Sequence, residues 1–513
     1  MLTRRVVALL VSVLMIAAVI AGCAPAAEPK KPAEPAKPVG ISLVIRGRND
    51  ILNMDVPFHG GHEDGMIYPL IYSRLVYVLP DAPEKLLPDL ATKWEISPDA
   101  SVYTFTLRQG AKFHKGYGEV TAKDVVWTFN RIKDPKVGTG FSGEWTNVKE
   151  IVAVDNYTVK ITLIKPDPTF AHFVLNRSGF VQCQKAIAEK GQKYTSDAVG
   201  SGPYIFESWT PGDKVVLVKN KDNWLHKGNV DRIIARGIVD DKVAELAIEA
   251  GDLNLAYIAV PEVQRSIISK GKVSTIVKPA GRSVFMTMSS NKNRPTQDQK
   301  FREALAISID RKLLVDKFMD GLGAPAHSLI NPECYGYSAK EYFKYDPARA
   351  KELLKQVKLP ADFKLDFITR TDTGDMATAI QSMWQGIGLK VQLTVLESAI
   401  MFERRDQKKY DIMLYSQSRD YPEGFLPTIT LAGDANNVRL YYDGVESLVA
   451  DLAKQNDVAT RAQTWVKIQD KLGQDVPIIP VVFPVNVVAM RKDIQPFPIV
   501  LWRYPMWLIK VGQ

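Results

Sequence analysis

Residues 363–415 constrain the chain more tightly than any other stretch. Three apolar runs, "FKLDFIT", "LKVQLTVLE" and "DIMLY", are separated by two segments with helical periodicity, "DMATAIQSMWQGIG" and "AIMFERRDQKKY". Strand–helix–strand–helix–strand order calls for parallel strands joined by right-handed crossovers. Open sheets of this kind gather their ligands at the carboxyl ends of the strands. Two polar segments occupy such ends: "TRTDTGD", which carries Arg370, and "SQSRDYPEG", which carries Arg419, Asp420 and Tyr421. Asp420 fits two roles there. Its side chain can close its own turn by accepting from nearby backbone N–H groups, or stand at a cleft mouth to meet a cation.

The rest of the chain repeats the alternation of strand and helix, which predicts an α/β protein. "SVYTFTLR" puts Tyr103, Phe105 and Leu107 on one side of a strand. "TAKDVVWTFNRI" opens a helix with Thr121, and Asp124 is placed to favour the helix dipole. "VAVDNYTVKITLIKP" is a hairpin turning at Asp155 and Asn156. Asp346 and Pro347 start another helix, and Thr460 with Gln463 is expected to form a capping box. At 513 residues, 46% of them apolar, the chain is too long for one core. Its net charge of +9 is spread without long basic runs, so a soluble basic surface is expected and nucleic-acid binding is not.

The N-terminus follows a different rule. Arg4 and Arg5 precede an apolar stretch over residues 6–20 that ends in "VIAGC". The stretch is short for a bilayer span, which needs about 20 residues, and matches the core of a secretory signal. Small residues before Cys23 resemble the lipobox of bacterial lipoproteins, which implies a signal peptide over 1–22 and lipidation of Cys23. Residues 24–40 hold five Pro, three Lys and two Glu, too little apolar surface to fold. At ~3.1 Å per residue such a tether reaches roughly 50 Å. Cys183 and Cys334 lack any paired spacing and are expected to be buried thiols.

No nucleophile elbow, zinc-protease or P-loop motif occurs. "GTGFSG" matches a dinucleotide fingerprint but follows a helix instead of a strand, so a loop is expected. "HGGHED" brings His59 and His62 near carboxylates. They are candidate metal ligands, set against a flexible polar loop at a cleft lip. No cofactor is expected, nor catalysis by Cys183.

Three longer segments carry a family resemblance. "LLPDLATKWEISPDASVYTFTLRQGAKFHKGYGEVTAKDVVWTF", "AVGSGPYIFESWTPGDKVVLVKNKDNW" and "NKNRPTQDQKFREALAISIDRKLL" are similar, in order and spacing, to marked segments of the family 5 extracytoplasmic solute-binding proteins of ABC importers. Ser201 stands where that family commonly has Thr, and Lys115 where many members have Asp. The resemblance implies a type II periplasmic-binding-protein-like flytrap with three lobes and a hinge around a ligand cleft. Lobe I would take 41–80, 196–283 and 480–513, lobe II 81–195, and lobe III 284–479. Hinge crossings are expected near "SGPY", "RSVFMTMSSN" and "PIIPVV", with Gly200 and Gly202 tolerating unusual backbone angles.

The same resemblance implies function. The protein would be a monomeric, non-enzymatic, exported receptor, held by lipid on Cys23 in the periplasm or at the outer face of the cytoplasmic membrane, that hands di- or oligopeptides to permease subunits. Asp420, followed by Tyr421, matches the Asp that pairs with a peptide α-ammonium. Arg370 is the nearest match to an Arg that takes the peptide carboxylate, unless Asp372 or Asp375 occupies it, and Arg419 is a further ligand candidate. A nickel chelate, an oligosaccharide or another amine is the alternative cargo. A sugar would shift weight to Trp384 or Trp502. A secreted hydrolase is the alternative class.

Overall fold

The computed structural model describes residues 40–47, 53–58, 62–79, 82–419, 421–430, 442–499 and 505–512. The side chains of 62–65 and of 83 and 84 lie outside that description. The chain divides into one unit over 1–40 and a second over 41–513. Cys23, His59, Asp420 and Trp502 fall outside the described residues.

Three larger sheets organise the second unit. In lobe I, seven strands lie in the order Ser274–Pro279, Val485–Met490, Leu255–Ile258, Ser42–Gly47, Arg232–Gly237, Lys214–Lys219 and Tyr204–Thr210. In lobe II, Ala91–Ile96, Val102–Leu107, Thr158–Leu163 and Val148–Asp155 form an antiparallel sheet of four. In lobe III, six strands follow the order Ala324–Pro325, Ile478–Phe483, Arg282–Met288, Ile412–Ser418, Leu365–Arg370 and Val391–Leu396, so residues 282–283 and 480–483, expected in lobe I, pair within the lobe III sheet instead. The last three of these run parallel, Leu365 pairing with Val391 and Phe367 with Ile412. Helices Gly374–Gly386 and Ser398–Asp406 make the crossovers.

Packing explains why Ile412 to Tyr415 is apolar at every position. Side chains alternate between faces along a strand, and both faces of the lobe III sheet are covered. Met286, Leu365 and Leu414 join one core, with Trp384. Phe285, Ile368 and Met413 join the other, with Trp465. Lobes I and II instead share one continuous core, from Leu43 and Ile233 through Leu70 and Tyr72 to Tyr103, Phe129 and Trp145. By their cores the three lobes therefore group into two bodies, lobes I and II in one and lobe III in the other.

The chain passes between the bodies at Ala280 and Gly281, linking Ser274–Pro279 to Arg282–Met288, and at Pro484, linking Ile478–Phe483 to Val485–Met490. The Ala280 amide donates to the Pro484 carbonyl at 2.8 Å, so the two crossings are bonded to each other. Gly281 has φ +56°, the left-handed region that favours glycine. "SGPY" lies elsewhere, inside the core shared by lobes I and II. Gly200 and Gly202 are needed there for close approach, and neither has a positive φ. A Cβ on Gly200 would sit 2.0 Å from the Ile71 carbonyl oxygen, and one on Gly202 would sit 2.7 Å from that of Leu70.

Local signals explain most element starts. Thr121 and Asp124 form a reciprocal capping box on Ala122–Lys133, and Asp346 caps Pro347–Lys355. The long helix Val458–Asp475 is capped by Asp457, which accepts from the Thr460 amide. Thr460 is thus inside the helix, because the carboxylate three residues earlier takes the capping role. "HGGHED" also differs from a loop: a helix already begins at His62 and runs to Ile71.

Candidate functional site at the lobe III sheet edge

The carboxyl ends of the parallel strands meet the start of antiparallel Arg282–Met288 at one edge, with Arg282 opposite Ser418. This is the edge from which Gly281 leads to lobe I. Arg370 ends its strand here. Its Nη2 donates to Asp372 Oδ2 at 2.7 Å and to Ser416 Oγ at 3.3 Å. Arg282 Nη2 reaches the same two oxygens, at 3.2 Å and 2.5 Å. Two guanidinium groups therefore share one carboxylate and leave an excess of positive charge. The Nε of Arg370 is buried and has no hydrogen-bond partner among the described residues. An unmet buried donor is costly, and a guanidinium fork suits a carboxylate. Asp375 takes no part in the hydrogen bonds of Arg370.

Arg419 lies one residue beyond the neighbouring strand and turns the other way. Its Nε donates to Gly424 O at 2.8 Å and its Nη1 to Ser418 O at 2.9 Å. The side chain spans its own turn, and a Cβ on Gly424 would sit 2.4 Å from Arg419 Cδ. The backbone is fixed too: the Arg419 amide donates to Gly281 O at 2.9 Å, and its carbonyl accepts from Asn331 Nδ2 at 2.8 Å. Asp420, the next residue in sequence, lies outside the described residues.

Tyr421 is 3% exposed and sits at the seam between lobes III and II. Its ring centroid is 6.4 Å from that of Tyr335 in lobe III, and 6.5 Å and 6.3 Å from those of His172 and Phe173 in lobe II. The lobe II rings project from Ala171–Leu175, a single turn of π-helix, a geometry frequent at functional sites. Beneath Tyr421, Glu423 Oε1 accepts from the Tyr335 hydroxyl, Arg461 Nη2 at 2.5 Å, Arg461 Nε at 3.1 Å and Trp465 Nε1 at 3.1 Å. Burial is the largest single influence on the Arg461 guanidinium and would lower its pKa, but the Glu423 charge, Tyr335 and the hydrogen bonds to both together outweigh it, and the pKa is raised. Burial, and then that same charge, push the Tyr335 hydroxyl well above its ordinary value.

Other candidates sit elsewhere. Trp384 is fully buried and donates to Leu305 O at 3.1 Å, so it belongs to the lobe III core. Cys183 and Cys334 are buried, and neither forms a disulfide among the described residues. No cluster of three or more metal-ligating side chains occurs among the described residues. Sequence reasoning alone does not single out Arg282, Tyr335, Glu423, Arg461, His172 or Phe173. Of these only Arg282 carries a signal, through its place just past Gly281 at a sheet edge.

Residues 85–438 match the family model of the bacterial extracellular solute-binding proteins, family 5. The chain belongs to this family, the solute-binding proteins of ABC importers. Among its relatives is the periplasmic oligopeptide-binding protein OppA of Salmonella typhimurium. The two are 27% identical over 440 residues, covering 78% of this chain and 79% of the relative. The structure of HbpA2 from Haemophilus parasuis superposes with a TM-score of 0.83 at 24% identity, covering 92% of this chain and 100% of that one. The Helicobacter pylori periplasmic binding protein DppA, solved with the peptide STSA, gives 0.75 at 23% identity, with 92% and 99% covered. These likenesses establish the three-lobed, type II periplasmic-binding-protein-like fold for the binding protein.

Proposed function

We propose that the binding protein captures short peptides between lobe III and the lobe I–II body and delivers them to an importer's permease without chemical change. The reading rests on the paired guanidinium groups at the lobe III edge, where Arg370 and Arg282 outnumber the carboxylate they share. A peptide carboxylate would supply the missing charge, and Asp420, in the adjacent turn, would take the α-ammonium. Tyr421 would floor the cleft between them. Relatives named for oligopeptide binding, and a related fold holding a peptide, favour this cargo over a metal chelate or a sugar.

Native mass spectrometry of the purified protein tests the cargo directly. Released masses should be those of short peptides, whereas a nickel chelate or oligosaccharide mass would replace the reading. We also infer that Cys23 carries lipid and that the protein acts as a monomer at the outer face of a membrane. Radiolabelled palmitate should mark the wild type, and Cys23→Ser should leave the membrane fraction. An unlabelled wild type would remove the anchor from the proposal.

A further inference from the structure

Lobe III meets lobe II at two described places. One is Tyr421, packed on His172 and Phe173. The other is Asn456, whose Nδ2 donates to Pro98 O at 2.8 Å. They are 35 residues apart in sequence, being numbered 421 and 456, and belong to separate turns. One side chain touches the support of both. Arg461 grips Glu423, two residues after Tyr421, with Nε and Nη2. Its Nε also reaches the Tyr335 hydroxyl at 3.3 Å, and the Tyr335 ring packs against Tyr421. The remaining nitrogen, Nη1, donates to Leu452 O at 2.5 Å and to Gln455 O at 2.9 Å, the residues that lead into Asn456.

We propose that Arg461 is a positioning residue for lobe closure, a planar fork that holds the two lobe III turns in the one relative placement at which Tyr421 and Asn456 engage lobe II together. The Arg461 side chain is 5% exposed and that of Glu423 is 10% exposed. A pair so buried contributes less to stability than its contact suggests, because desolvation opposes it. Its fixed geometry is a better account of its presence. Lysine is a point charge on a flexible stem and cannot bridge the two turns as a planar fork does.

The proposal rests on the reading of this molecule as a binding protein that closes over its ligand. Hydrogen–deuterium exchange on the full chain tests it, with and without trialanine as the probe. Arg461→Lys should speed exchange in both lobe II segments, 96–101 and 169–176, by roughly ten-fold. Asn456→Ala, a change at the exposed rim, should speed 96–101 alone. A merely local role would loosen lobe III near 421–425 and 452–457 and leave lobe II as it was. Equal lobe II exchange in wild type and Arg461→Lys, or a change in only one of the two segments, overturns the proposal. Should Arg461→Lys not fold, Tyr335→Phe removes a single hydroxyl from the node. It should speed both segments by about three-fold, and no change in either overturns the proposal equally. If trialanine leaves wild-type exchange unaltered, the peptide reading fails and the test of Arg461 stands on the ligand-free comparison.

Discussion

Arg370 and Arg419 stand at the ends of adjacent parallel strands, on the same sheet edge, yet their side chains have opposite fates. Arg419 lies over a tight turn whose Ser418 and Gly424 carbonyls need donors, and the guanidinium satisfies them. Arg370 precedes the helix Gly374–Gly386, and the start of a helix presents N–H groups, not carbonyls. A guanidinium there finds only side-chain acceptors, Asp372 and Ser416, and shares both with Arg282. Residue type and edge position are the same in the two cases. The next stretch of backbone decides which arginine is spent on its own turn and which keeps a buried donor, the Arg370 Nε, unmet among the described residues.

This contrast can be broken or sharpened by substitution. The largest effect is expected from Arg370→Met, which should weaken trialanine binding by ~2–3 kcal/mol if the peptide carboxylate is left unpaired. It should also erase any preference for the free acid over its C-terminal amide, with little change in stability. Calorimetric titration of both peptides checks this, and a wild type that binds acid and amide alike removes the carboxylate role. Arg419→Met should do the reverse. It frees two turn carbonyls and should cost about 1–2 kcal/mol in urea denaturation, while the acid-to-amide preference stays intact. An unchanged midpoint would mean the turn holds without its clamp.

Gly424→Ala probes the same clamp more gently. The new methyl group meets a flexible Arg419 methylene, so the loss should be roughly 0.5–1 kcal/mol and should shrink in the Arg419→Met background. Full additivity of the two losses would show that the contact does not matter. The smallest effect belongs to Asp372→Asn. Its carboxylate is partly exposed, so relieving its hold on Arg370 and Arg282 should tighten trialanine binding by only about 0.5 kcal/mol. Weaker binding would instead make Asp372 a support that orients the two guanidinium groups.

The pattern of residues 363–415 is enough to order the parallel strands and to point to their carboxyl ends, because alternation and crossover handedness are local rules. Side-chain direction at those ends is not legible. Nothing in "SRDYPEG" says that Arg419 folds back to Gly424, because the choice depends on which carbonyls the finished turn leaves bare. The Glu423–Arg461 pair is hidden for a related reason. Its partners meet only after the helix Val458–Asp475 packs beneath the turn, and no spacing rule links them. Gly200 and Gly202 stand out by residue type, but their cause is different from a hinge, because steric approach to Ile71 leaves no mark in the sequence. "HGGHED" misleads through its glycines, which do not prevent a helix from starting at His62.

The bond between Ala280 and Pro484 has one more consequence. The two connections between the bodies are held side by side, and neither belongs to an apolar core, so a swing about them tears no packed interior. If the bodies open and close about this pair, the contacts across their facing surfaces, such as Arg265 with Asp320 and Tyr421 with His172, weigh directly on the balance between the two forms. Apparent affinity equals intrinsic affinity scaled by the fraction of molecules able to accept cargo. A change far from the pocket, on either opposing face, can retune uptake without altering a single group that touches what is carried.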